Sequence, residues 1–173
     1  IFEHEAELGL VIGKAAKNVN AENAFEHIFG YVNFIDVSAR DLGGNSFFWG
    51  KSWDTFAPIG PAIVTADEID DPQNLQVRLW VNGTLRQDFT TNDMAHKIPR
   101  SLEWVSSIAA LRPGDLIATG TNHAGLGPLQ DGDEIEMEIE GLERLTGLKV
   151  SDQKKRSWPI ETRLERMQRE NAK

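Results

Sequence analysis

The chain has 173 residues, enough for one domain that buries a core without disulfide or metal staples. Its 27 acidic and 18 basic side chains leave a net charge of −9, which speaks against nucleic acid as the main partner, since phosphate recognition needs a basic surface. Cysteine is absent, which excludes disulfides, thiolate metal sites and a cysteine nucleophile, and no apolar run nears the roughly 20 residues of a membrane-spanning helix. At 40% hydrophobic and 26% charged, the composition predicts a soluble globular protein, with a cytoplasmic location and no membrane partner as the expectations.

The chain opens at Ile1, and Glu5–Gly13 already reads as a strand, so a further N-terminal segment is expected to precede it. Asn20 is placed to cap a short helix over Ala21–Phe29, with Gly30 behind it. Tyr31–Val37 is β-branched and aromatic, hence a strand. A loop at Gly43-Gly44-Asn45 leads into the aromatic cluster Phe47-Phe48-Trp49, and the prolines within Ala57–Val64 mark an irregular or edge segment. Leu75–Val81 and Leu85–Phe89 flank Asn82-Gly83, the strongest short-range hairpin signal. The best helical period covers Ser101–Ala110, with Leu102, Val105, Ile108 and Ala109 on one side, and Arg112-Pro113-Gly114-Asp115 stops it. Leu116–Thr119 reads as a short buried strand and Glu134–Glu140 as a half-exposed one whose glutamates face solvent. Beyond Val150 the chain turns charged, with Trp158-Pro159 as an anchor and a polar, helical tail over Glu161–Lys173. The sum is one strand-rich α+β domain over 1–150 with two short helices, followed by a charged extension over 151–173.

Glu5 and Glu7 lie two apart in a strand, so both carboxylates leave the same face about 7 Å apart. Asp36 ends the next strand and closes a triangle with them. Three carboxylates about 5 Å from one another repel by roughly 3 kcal/mol per pair at an effective dielectric near 20. The sum, roughly 10 kcal/mol, matches the stability of a whole domain, so a triangle requires a cation. An all-oxygen set suits Mg²⁺, with Mn²⁺ or Ca²⁺ as alternatives, and leaves about three positions of an octahedral ion open to a chelating 2-oxo acid. A Glu-x-Glu pair is most often solvated surface, but Leu8–Ile12 looks buried on both faces, which is not how a surface strand reads. His4 points away from Glu5 and Glu7. Lys51, among aromatics and glycine, is suited to a carboxylate or enolate, and Thr119-Gly120-Thr121 can present N–H and hydroxyl groups to an anion.

Glu5-Ala6-Glu7-Leu8, Ile35-Asp36-Val37-Ser38-Ala39-Arg40-Asp41, Gly50-Lys51-Ser52-Trp53-Asp54-Thr55-Phe56-Ala57-Pro58, Val81-Asn82-Gly83 with Arg86-Gln87, and Thr119-Gly120-Thr121, in that order, resemble the fumarylacetoacetate hydrolase family. The resemblance runs from residue 3 to about 150. It implies that family's catalytic domain, a mixed β-sandwich roll with a few short helices, paired as a homodimer. It implies a divalent ion, Mg²⁺ or alternatively Mn²⁺ or Ca²⁺, on Glu5, Glu7 and Asp36, with Lys51 catalytic and Thr121 meeting the substrate carboxylate. Arg40 matches an arginine near the substrate, with Asp41 its structural partner. The family cleaves, decarboxylates or isomerises 2-oxo acids and acylpyruvate-like compounds through a stabilised enolate, often in aromatic catabolism. Three departures stand out: Gly43-Gly44 where many members carry a glutamine, Asn122-His123 where a proline commonly follows the threonine, and no view of the upstream His/Glu lid that supplies a general base. A non-catalytic homologue that binds metal and oxo acid, and a purely structural cation site, are the alternatives.

Overall fold

The computed structural model describes residues 1–40, 42 and 46–172. In chain order the elements are β1 (Phe2–Glu3), β2 (Ala6–Ile12), β3 (Ile28–Ile35), β4 (Ser38–Ala39), α1 (Phe47–Lys51), β5 (Ile59–Thr65), β6 (Gln76–Val81), β7 (Thr84–Thr90), α2 (Ile98–Ile108), β8 (Leu116–Ala118), β9 (Glu134–Ile139), β10 (Leu145–Lys149) and α3 (Arg163–Asn171). Two antiparallel four-stranded sheets, ordered β5-β3-β2-β8 and β10-β9-β6-β7, make up the body, and β1 pairs with β4 in a small third ladder. No described helix is long and apolar enough to cross a membrane.

Strand periodicity explains how the two sheets share one core. Along β2, Leu8, Leu10 and Ile12 turn one way, and β3 sends Tyr31 and Ile35 to the same side. Val77 and Leu79 of β6 and Met137 and Ile139 of β9 meet them from the other sheet. Each such fully buried aliphatic side chain contributes about 1.5–3 kcal/mol relative to exposure. The opposite side of β9 carries glutamates, as its alternation predicts: Arg144 pairs with Glu136 at 2.9 Å and stacks over the Trp80 ring at 4.1 Å. At the β6–β7 turn, Asn82 and Gly83 both take positive φ (51° and 74°), which suits the twist of a tight hairpin.

Several local expectations need correction. The segment after Asn20 is a 3-10 helix, Ala21–His27, and Phe29 already lies in β3. Only Ala24 of that segment is buried, too little apolar surface to hold a full α-helix. The Pro61-containing segment is an edge strand as expected, β5, paired with β3 through an irregular register. Helix α2 starts earlier than its period suggests, with Pro99 in the first turn where the missing N–H costs nothing. Its buried stripe is Ile98, Leu102 and Ser106, while Ile108 is 64% exposed. Ser106 is accepted there because its hydroxyl takes the Val19 N–H at 3.0 Å and donates to the Glu103 carbonyl. Strands β1, β4 and β10 and helix α1 went unpredicted. The Gly43-Gly44-Asn45 loop, Asp41 and Lys173 lie outside the described residues.

Candidate metal centre

Register builds the site. Ala6 faces Ile35 across the β2–β3 ladder, so just beyond it the Asp36 N–H donates to the Glu5 carbonyl at 2.9 Å and the two acids sit side by side. Glu7, two residues along, projects from the same face. One carboxylate oxygen from each of Glu5, Glu7 and Asp36 lies within 4.8 Å of the others. Glu5 and Glu7 are buried and Asp36 is half-buried. The sequence-predicted triangle therefore forms, and His4 stays outside it.

Each acid is managed differently. Lys51, delivered by the last turn of α1, bonds Glu5 Oε2 at 2.8 Å and also Asp36 Oδ2. Arg40, just after β4, bonds Glu5 Oε1 and donates from Nε to Glu3 Oε2 at 2.7 Å. Burial works against the charge on Glu5, but the bonds from Lys51 and Arg40 win and hold its carboxyl below the usual range. At Asp36 burial wins over Lys51, and the carboxyl is pushed up. Burial also opposes the charge on Lys51 and Arg40, yet their bonds to these acids hold both cations firmly protonated. Among the described residues, Glu7 receives the Gly120 N–H, at 2.7 Å, and no side-chain cation. Burial first, and then the charges of Asp36 and Glu5, push its carboxyl up to about 8.

Thr121 is not bonded to the acids; the link from its loop to the cluster is Gly120. The loop is set by β8, which runs beside β2, and Thr119 Oγ1 donates to the Leu8 carbonyl at 2.8 Å. Gln87 of β7 donates to Thr121 Oγ1 and to the Asn122 carbonyl, both at 2.9 Å. Its own oxygen accepts from Ala6 N and from His4 Nδ1, both at 3.0 Å. Burial lowers the His4 pKa to about 4, so this ring is a neutral structural partner. Further along the loop, Gly125 has φ 82°, and a Cβ there would fall 1.6 Å from the Arg86 carbonyl oxygen. The loop, Gly120 and Thr121 included, also walls a cavity of about 790 Å³, lined further by His96, Trp104 and His123, and none of the three acids is in its lining.

The structure adds one acid the sequence reading missed. Glu3 is fully buried between Arg40 and Arg166, the latter 3.0 Å from Oε1. The available signal was the alternation Glu3, Glu5, Glu7, which puts a third carboxylate in line with the other two.

The donor set itself tests whether a cation fits. A lysine ammonium already bridges two of the acids, and burial together with the charges of those two pushes the third carboxyl up. Oxygen-only donors of this kind suit a hard divalent ion.

Comparison with known proteins finds relatives over most of the chain. Residues 2–148 match the family model "Fumarylacetoacetate (FAA) hydrolase C-terminal". A mitochondrial oxaloacetate tautomerase of Xenopus laevis is 44% identical over 149 residues, 80% of this chain and 46% of that protein. The structure of maleylpyruvate hydrolase from Sphingobium sp. SYK-6 in complex with manganese(II) and pyruvate superposes with a TM-score of 0.80 at 39% identity, covering 87% of this chain and 54% of the other. A 2-hydroxyhepta-2,4-diene-1,7-dioate isomerase from Mycobacterium marinum gives 0.79 at 44% identity, covering 84% and 57%. The chain thus spans about half the length of these relatives. From residue 2 to 148, with its strand-rich α+β architecture, the chain belongs to the fumarylacetoacetate hydrolase family.

Proposed function

We propose that the protein is a divalent-metal-dependent enzyme acting on 2-oxo acids and acylpyruvate-like compounds through their enolate forms. The reaction is C–C bond hydrolysis, decarboxylation or isomerisation, in aromatic or small-acid catabolism. The observation that carries this reading is the set of three carboxylate oxygens within 4.8 Å, with the Lys51 ammonium at its edge. Manganese(II) with pyruvate in the maleylpyruvate hydrolase supports it. Glu5, Glu7 and Asp36 would hold Mg²⁺ or Mn²⁺, which supplies Lewis-acid polarisation of the substrate's 2-oxo and carboxylate oxygens.

The chain's own residues supply the rest. Lys51, whose ammonium lies between Glu5 and Asp36, would neutralise negative charge that develops on an enolate bound beside these acids. Thr121 takes a hydrogen bond from Gln87, and its own proton has only a 3.4 Å contact with the Asn122 carbonyl, so it is available to a substrate carboxylate. Arg40 holds Glu5 in place. A homodimer is part of the proposal, supported by Ile59 and Ile63, which leave apolar surface exposed on edge strand β5.

Melting with Mn²⁺ alone and with Mn²⁺ plus oxalate tests the site. An ion with open positions gives a rise with Mn²⁺ and a further rise with oxalate. No response to Mn²⁺ discards the site, and no added response to oxalate leaves a closed structural ion. Turnover of acylpyruvates and oxaloacetate then separates an enzyme from a binding homologue.

A further inference from the structure

Helix α3 lies beyond residue 148, where the family match ends, yet it is tied to the acid cluster. Its first turn is fixed by a full capping box: Thr162 Oγ1 accepts from Glu165 N, and the Glu165 side chain accepts from Thr162 N. The approach to the helix is fastened as well. Gln130 donates to the Trp158 carbonyl at 2.9 Å and accepts its N–H at 3.3 Å, and Arg163 N donates to the Leu126 carbonyl at 2.6 Å. From this seat Arg166, 16% exposed in its side chain, lies 3.0 Å from Glu3 Oε1, an ion-pair contact rather than an aligned hydrogen bond. Glu3 has no exposure at all, and its other oxygen takes Arg40 Nε at 2.7 Å. Arg40 passes the contact on to Glu5 Oε1.

We infer that Arg166 is a positioning residue for the cation site, acting on Glu5 through Glu3 and Arg40. The inference rests on reading Glu5, Glu7 and Asp36 as cation ligands. A buried carboxylate cannot stay half-paired. Without Arg166, Glu3 draws on the guanidinium already at its other oxygen, and Arg40 turns its fork onto Glu3 in the bidentate way arginine favours. Glu5 then loses the bond that sets the plane of its carboxylate. Charge alone predicts the reverse, because deleting a cation makes the neighbourhood more negative and tightens divalent binding. The sign of the effect therefore separates positioning from through-space electrostatics.

The experiment is Mn²⁺ binding to the full chain by calorimetry, with the Mn²⁺ electron paramagnetic resonance spectrum as a second readout. Arg166→Met is expected to weaken binding about tenfold, the usual cost of losing an outer partner of a ligand, and to alter the spectrum. Arg166→Lys restores most of the affinity. Arg169→Met, on the same helix but paired with Glu161, leaves it unchanged. In a Glu3→Gln background, where no buried charge competes for Arg40, adding Arg166→Met costs nothing further, and this pair keeps the test open if Arg166→Met alone folds poorly. Unchanged or tighter binding in Arg166→Met overturns the inference, as does an equal loss in Arg169→Met, which would trace to docking of the helix. Wild-type protein that takes up no Mn²⁺ overturns the cation reading and this inference with it, whereas wild-type binding with an indifferent Arg166→Met removes only the role of α3.

Discussion

At the residue scale, Glu7 is where burial and charge collide. Glu5 bonds two cations and Asp36 one, but the bond Glu7 receives among the described residues is the Gly120 N–H, and it is 3% exposed. It is therefore the acid whose carboxyl is pushed up to about 8, and a divalent ion would bring it down. Glu7→Gln keeps the shape and an acceptor for Gly120, and it removes a carboxyl whose charge the site opposes. Metal-free melting of this variant is expected to match the wild type or exceed it by a few degrees, while calorimetry finds Mn²⁺ binding weakened at least tenfold and turnover lost. Undiminished Mn²⁺ affinity in Glu7→Gln would remove Glu7 from the ligand set. The Glu5, Glu7 and Asp36 triangle was legible because it follows from the two-residue period of a strand and a strand end beside it. Glu3 was not, because its partners, Arg40 and Arg166, come from distant parts of the chain and only the fold puts them together.

At the element scale, the join between β2, β7 and the loop after β8 runs through Gln87. An amide both donates and accepts, and this one, wholly buried, does each twice: to Thr121 and Asn122, and from His4 and Ala6. Gln87→Leu fills similar volume but leaves the buried His4 ring and Ala6 N–H unpaired, at about 1–3 kcal/mol for each group stranded without water. Urea unfolding is expected to show a loss of at least about 2 kcal/mol, and turnover a raised KM from the loosened Thr121. Gln87→Glu, which can still accept from His4 and Ala6, should fall between. A Leu variant as stable as the wild type would show that the loop holds itself. Elements with a local signature were legible in the same way: Asn82-Gly83 forces its turn, and the apolar-acidic alternation of Glu134–Ile139 fixes a strand facing solvent on one side. The two-residue strands β1 and β4 have no such signature, since they form by pairing across the fold, with each other and, at Glu3, with Pro128. The face of α2 was misread because a serine, made burial-tolerant by Val19 and Glu103, takes a place that hydrophobicity would give to isoleucine.

At the scale of the whole molecule, the site makes metal-free stability depend on pH in a direction that is uncommon for acids. Glu7 has a folded pKa of about 8 against an ordinary 4.5, so between these values the folded chain binds the extra proton. Stability from this group is complete below 4.5 and is lost as pH rises through 8. His4 runs the other way: with a folded pKa of about 4 against 6.5, the unfolded chain binds the extra proton in that window, and stability rises with pH across it. From 4.5 to 6.5 the two slopes oppose one another and leave a plateau. Above 6.5 the His4 slope no longer offsets that of Glu7, so metal-free stability should fall by about 1.4 kcal/mol per pH unit up to 8, the value of one proton. Saturating Mn²⁺ requires an ionised Glu7, so it should abolish this decline and stabilise more at pH 8 than at pH 6.5. Urea melts of wild type and Glu7→Gln at both pH values, with and without Mn²⁺, decide the matter. The variant should show no such decline in any condition, and a wild-type curve that is flat from 6.5 to 8 without metal would mean that Glu7 is already charged, with the repulsion among the three acids relieved by Lys51 and Arg40 alone.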